Sequence, residues 1–224
     1  MAGTADITID LGENMQASTG TASAAAFWEW FVRNADAIRD RGHPRREELL
    51  DELQHHLQAF SEDLWFEIGI RVDGTGHLII TAEGDVDAFP AVKAMVDAAP
   101  GDIEGWEVTA FKPPRGFGFV LKRSGITITP ESVWFAPLED PGDPDFLGIE
   151  VAYPHFNPEL HDEFLNLTFI MLEAGIGEMA FAEGIDEVSV GPLPESPATS
   201  GYIPIAEIAP YLSRQGRGGA GGAS

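Results

Sequence analysis

Two stretches of this chain present hydrophobic anchors in the same order, and that repetition narrows the possible folds more than any other feature. Residues 64–114 open on Trp65-Phe66, and residues 133–194 open on Trp134-Phe135. Leu78-Ile79-Ile80 follows the first pair at the distance at which Leu147-Gly148-Ile149 follows the second. Glu107-Val108-Thr109 then runs to Pro113-Pro114, and Glu187-Val188-Ser189 runs to Pro192-Leu193-Pro194. The offset is 69 residues at the first two anchors and 80 at the third. An insertion of about eleven residues in the second stretch accounts for the difference, and a unit used twice organises the fold around one supersecondary element.

Within each stretch the local pattern reads strand, strand, helix, strand. Leu64 to Val72 and His77 to Ala82 flank the turn Asp73-Gly74-Thr75-Gly76 as a hairpin. Asp87 is placed to start a helix through Phe89, Val92 and Met95, and Trp106 to Phe111 is a further strand. Phe117 to Lys122 reads as a fourth strand, after Pro113-Pro114-Arg115-Gly116. In the second stretch, Val133 to Pro137 and Leu147 to Tyr153 are strands. Asn157-Pro158-Glu159 then starts a helix, with a capping residue followed by proline. Two helices precede the repeats. The first runs from Ala24 to Arg39 after Ser23 as N-cap, and the second carries Leu49, Leu53 and Leu57 on one stripe. The expected fold is α+β: a mixed, mainly antiparallel sheet with helices packed on it, built from two pseudo-repeated ββαβ units. It is expected as a single domain over 23–213, between a flexible N-terminal arm (1–22) and a glycine-rich tail (214–224).

Charge separates the halves. The formal net charge is −24, and between Gly125 and Ser213 there are sixteen acidic residues and no Lys or Arg. Such a surface repels nucleic-acid phosphates and anionic lipid, and attracts a basic partner. Cysteine is absent, which removes disulfides, thiol nucleophiles and Cys-based metal sites. There is no signal-peptide pattern and no run of about 18 apolar residues, so a cytoplasmic protein without a membrane span is expected.

Three constellations offer chemistry. Arg115-Gly116-Phe117-Gly118-Phe119-Val120-Leu121-Lys122 resembles the RNP1 octapeptide of the RNA recognition motif. That resemblance implies base stacking on Phe117 and Phe119 and a phosphate contact by Arg115. It covers eight residues, and neither the aromatic second strand nor the eighth-position aromatic is present. His155, His161 and Asp162 combine imidazole with carboxylate, as a metal-dependent hydrolase would require, although their spacing matches no metal motif. Glu139, Asp140, Asp143 and Asp145 form an acidic Pro/Gly loop, and Glu159, Asp162 and Glu163 lie in the first turns of the following helix. These seven carboxylates are the candidate surface for a basic protein. No nucleotide fingerprint, nucleophile elbow or phosphate loop is present, so no cofactor is expected.

Phe27-Trp28-Glu29-Trp30-Phe31, Ala98-Ala99-Pro100 and Pro192-Leu193-Pro194 resemble an uncharacterised family of bacterial proteins over about residues 24–212. The resemblance implies a bacterial, soluble, single-domain protein and carries no functional residues across. The function expected from the sequence is non-enzymatic binding of a basic macromolecule, in a regulatory or immunity-like role. A metal-dependent hydrolase and RNA binding are the alternatives.

Overall fold

The computed structural model describes residues 12–217 and divides into two compact units. Unit 1 holds the described residues up to Ala82 together with Asp87–Ala110. Unit 2 holds Glu83–Val86 and the described residues from Phe111 onward. The fold is α+β, with helices packed on open, mainly antiparallel sheets. The strands do not join into one mixed sheet. Among the described residues three separate sheets form, of three, two and four strands.

Unit 1 begins with helix α1 (Gly12–Arg39), which starts twelve residues before the expected Ala24. Ser23 therefore lies inside the helix and is not its cap, and residues 12–22 of the expected arm are helical. Residues 1–11 of that arm, and 218–224 of the expected tail, lie outside the described residues. The predicted stripe of Phe27, Phe31, Ala35 and Ile38 is buried, and Trp28 and Trp30 widen it. Burying indole requires a partner for its N–H. Trp28 Nε1 donates to the Met95 carbonyl at 2.8 Å, and Trp106 Nε1 donates to the Ala35 carbonyl at 3.2 Å. Helix α2 (Arg46–Gln58) buries Leu49, Leu53 and Leu57 at helical spacing. Strands β1 (Trp65–Ile70) and β2 (Gly76–Thr81) form the expected hairpin. Helix α3 (Phe89–Asp97) then crosses over to β3 (Trp106–Ala110), which pairs parallel with β2. Gly76 makes that pairing possible, because a Cβ there would lie 2.6 Å from the Trp106 ring.

Unit 2 opens with a small hairpin, β4 (Leu121–Arg123) and β5 (Ile126–Ile128). The fourth strand is thus confined to 121–123. Residues 115–120 do not pair as a strand. Instead, Arg115 and Gly116 donate backbone N–H groups to the Ala174 and Gly175 carbonyls. Strands β6 (Trp134–Asp140) and β7 (Asp143–Tyr153) form a second hairpin. Helices α4 (His161–Ile176) and α5 (Glu178–Gly184) follow, and β8 (Glu187–Pro192) pairs parallel with β7. Strand β9 (Ile203–Pro204) closes the other edge against β6, and α6 (Ile208–Arg214) ends the unit. Phe135, Ile149, Val151, Leu167, Met171, Leu172 and Ile208 form its core.

The connectivity hairpin, helix, parallel strand occurs in both units, and the pairings refine the register read from the anchors. Trp65 faces Thr81, whereas Trp134 faces Ala152, so the second hairpin spans two residues more. The residues equivalent to Leu78-Ile79-Ile80 are therefore Ile149-Glu150-Val151, not Leu147-Gly148-Ile149. His77 pairs with Glu107 and Gly148 with Glu187, so the second crossover spans nine residues more. Those residues accommodate α5.

A buried carboxylate anchors unit 2. Glu178 has no exposed surface and accepts the backbone N–H groups of Gly84 (3.1 Å) and Lys112 (3.0 Å). Replacing it with Ala leaves two half-buried N–H donors without their acceptor, which costs about 3 kcal/mol. The Glu178→Ala variant is expected to melt roughly 6–12 °C lower in a thermal unfolding scan, and Glu178→Gln, which keeps an acceptor, less so.

Candidate functional site

The β6–β7 hairpin builds an acidic cleft on unit 2. Its tip brings Glu139, Asp140, Asp143 and Asp145 to one cleft of about 510 Å³, whose walls include Phe146, Tyr211 and Arg217. The register sets Asp140 directly opposite Asp143 at the open end of the ladder. Like charges placed opposite one another are unfavourable. Local bonds hold them there: Asp140 Oδ1 accepts the Gly142 N–H at 2.8 Å, and Asp143 Oδ1 accepts the Asp145 N–H at 3.0 Å. Each carboxylate thus keeps its second oxygen for another partner.

Cations of the chain already make two contacts in this region. The Arg217 guanidinium reaches Asp186 Oδ2 at 2.5 Å, and Asp186 also accepts the Leu147 N–H at 2.7 Å. Burial alone would raise the Asp186 carboxyl, but the Leu147 N–H and Arg217 outweigh it and hold it below the usual carboxylate range. The Arg214 guanidinium lies 6.0 Å from the centre of the Tyr211 ring.

The other three carboxylates named from sequence are elsewhere. Glu159 lies in the short 3-10 turn Pro158–Leu160, where Asn157 Oδ1 accepts its backbone N–H as predicted for a cap. Asp162 and Glu163 lie in the first turn of α4. None of the three lines the acidic cleft.

The two histidines diverge. His155 borders a separate cavity of about 710 Å³, lined by the β5 edge, Tyr153 and Phe164. His161 Nδ1 lies 3.0 Å from Asp162 Oδ1, a side chain almost wholly in solvent. Among the described residues no three His, Asp or Glu groups come together to hold a metal ion, so His155, His161 and Asp162 do not form the centre that a metal-dependent hydrolase needs. Tyr153, on the cavity floor, is occupied as well. Its O–H donates to Thr168 Oγ1 at 2.6 Å, because Thr168 itself donates to the Phe164 carbonyl. Burial pushes the Tyr153 phenol well above its ordinary value, and the Thr168 bond only partly opposes this.

The RNP1-like segment offers no strand-borne aromatic platform. Phe117 and Phe119 are half-buried against the unit 2 core, and Phe117 lies against Gly175, where a Cβ would come within 2.2 Å of its ring.

Sequence reasoning missed the cluster around Lys112. Its ammonium lies 2.8 Å from Glu83 and 3.2 Å from Glu173. Burial would lower the Lys112 value, but the two carboxylates outweigh it and raise it. Burial raises Glu173, and Lys112 only partly offsets this. Glu83 and Phe111 both adopt positive φ, at 53° and 64°, a costly conformation for residues with a Cβ. No spacing rule connects positions 83, 112, 173 and 178. The one local signal was Gly177, whose φ of +85° lets the chain turn between α4 and α5.

No protein-family model, curated protein or solved structure matches the chain. No single helix among the described residues is long and apolar enough to cross a membrane.

The lowered Asp186 carboxyl fixes the sign of one pH effect. Its contribution is fully present above the unfolded carboxylate value, about 4, and is lost as pH falls through the lower folded value. With Asp186 partly exposed, the pair is worth about 1 kcal/mol after screening. Asp186→Asn is expected to melt roughly 2–4 °C lower at neutral pH, and the difference should shrink progressively in scans below about pH 4.

Proposed function

We propose that this chain is a non-enzymatic binding protein for a basic macromolecular partner, and that the β6–β7 cleft receives the partner's cationic side chains. The observation that carries this reading is the cleft, where four carboxylates and two aromatic rings line one depression. Carboxylates give charge-assisted hydrogen bonds to guanidinium or ammonium, and ring faces attract the same groups. The intramolecular contacts of Arg217 with Asp186 and of Arg214 with Tyr211 are of these two kinds. The long cation-free stretch from Gly125 to Ser213 adds a field that speeds encounter with a positive surface. Glu159, Asp162 and Glu163 contribute to that field from a distance. Masking a basic nuclease cleft is one task such a surface fits.

The test is the binding of an arginine-rich nonapeptide, followed by fluorescence anisotropy over a salt series. Affinity is expected to fall steeply with salt. The Asp140→Asn/Asp143→Asn/Asp145→Asn variant should weaken binding about tenfold, mainly through slower association. The Glu159→Gln/Asp162→Asn/Glu163→Gln variant should lose about threefold or less, since only the long-range field changes. Equal losses in the two variants would refute the cleft as the docking site.

A further inference from the structure

We propose that the free edge of β5 is a strand-addition site for an extended segment of a partner protein that alternates apolar and acidic residues. This inference does not depend on the acidic cleft and concerns a different part of unit 2.

Ser124 and Gly125 have φ of 51° and 80°, and they connect β4 to β5 as a two-residue turn of the type that needs positive φ at both positions. Such a turn makes Arg123 and Ile126 a hydrogen-bonded pair, so the next pair, Lys122 and Thr127, is not hydrogen-bonded. The N–H and C=O of Thr127 therefore point away from β4. Among the described residues strand β5 has no second neighbour in its sheet. Its edge, from Gly125 to Thr129, lines the cavity of about 710 Å³. Unpaired strand groups facing a depression are a template for another strand.

The two faces then set the chemistry of the occupant. Ile126 and Ile128 are buried on the inner face, and Val133, Tyr153, Leu160 and Phe164 continue that apolar surface into the cavity. An added strand would place every second side chain there, so those residues should be apolar. Thr127 is exposed on the outer face, beside its cross-strand partner Lys122. Two strand spacings, about 10 Å, separate Lys122 from an added strand, and a long lysine can span that distance across a small threonine. Arg123 is exposed next to the turn, and among the described residues neither Lys122 nor Arg123 makes an ion pair. From Val120 to Pro130 the sequence carries Lys122 and Arg123 and no Asp or Glu. Outward residues of the occupant should therefore be acidic.

The experiment uses the full chain and a fluorescein-labelled octapeptide alternating Glu and Val, with its Lys–Val counterpart as control. The Glu–Val peptide is expected to bind with Kd well below about 1 mM, and the Lys–Val peptide at least about tenfold more weakly. Thr127→Pro removes the outward N–H without touching a β4–β5 hydrogen bond, and should weaken binding about tenfold, while Thr127→Val should bind as the parent does. Lys122→Glu should also weaken it about tenfold. In the unmodified protein, amide exchange at Thr127 should slow on peptide addition, a reading that does not rely on any variant folding. No binding of the Glu–Val peptide up to about 1 mM, unchanged exchange at Thr127, or equal binding by Thr127→Pro would overturn the proposal. A concentration-dependent dimer of the parent that Thr127→Pro abolishes would assign the edge to a second copy and overturn it equally.

Discussion

Unit 2 depends on a carboxylate that water does not reach. Glu178 lies at the first position of α5 with no exposed surface, and it accepts N–H groups from Gly84 and Lys112. A buried charge is costly unless hydrogen bonds replace its hydration shell. Here the donors come from two segments distant in sequence, 83–86 and 111–114. The bonds that satisfy the carboxylate therefore also fix where those segments run. The Lys112 side chain, in turn, is held by Glu83 and Glu173. The positive φ of Glu83 and Phe111 is a cost set against those contacts. The placement of α4 and α5 follows, and with it the wall against which Phe117 and Phe119 pack.

The shared connectivity of the two units explains why their hydrophobic anchors align while their surfaces differ. In each unit the middle strand, β2 or β7, is buried at nearly every position along its paired length, which restricts those positions to apolar or small residues. Hairpin tips and exposed edges are under no such restriction. The two-residue extension falls in the β6–β7 hairpin, and this hairpin carries the acidic cleft. The nine-residue extension falls in the crossover that contains α5 and its buried Glu178. The features that distinguish unit 2 are thus located where added residues disturb neither the ladder nor the core.

Much of this was legible in the sequence because it rests on local periodicity. The stripe of Phe27, Phe31, Ala35 and Ile38, the β1–β2 turn and the Asn157 cap are each determined within a few residues. Other features needed long-range information. The start of α1 at Gly12 could not be read from a Thr/Ser/Gly-rich segment of weak helical preference. The apparent strand 117–122 shortened because Arg115 and Gly116 bond to the end of α4, a partner about 60 residues away. The division into separate sheets depends on pairing, which alternation of side chains does not encode. At the site, the loop carboxylates were found from composition. The aromatic wall of Tyr211 and the seat of Arg217 come from the far end of the chain, so neither could be assigned to the loop in advance.

The arrangement at the hairpin tip explains why a cleft of carboxylates can be a recognition surface and not merely a solvated loop. A mobile acidic loop relieves repulsion by spreading its charges, and a cation must then gather them again at an entropic cost. In the β6–β7 hairpin, pairing places Asp140 opposite Asp143, and bonds to the Gly142 and Asp145 N–H groups keep both carboxylates from turning away. The repulsion is therefore present before any partner arrives, and folding of the hairpin has already offset it. In the proposed complex, a guanidinium entering between these groups would relieve that repulsion without ordering the loop. Under that proposal, binding strength would depend on the register of the hairpin as much as on the number of charges.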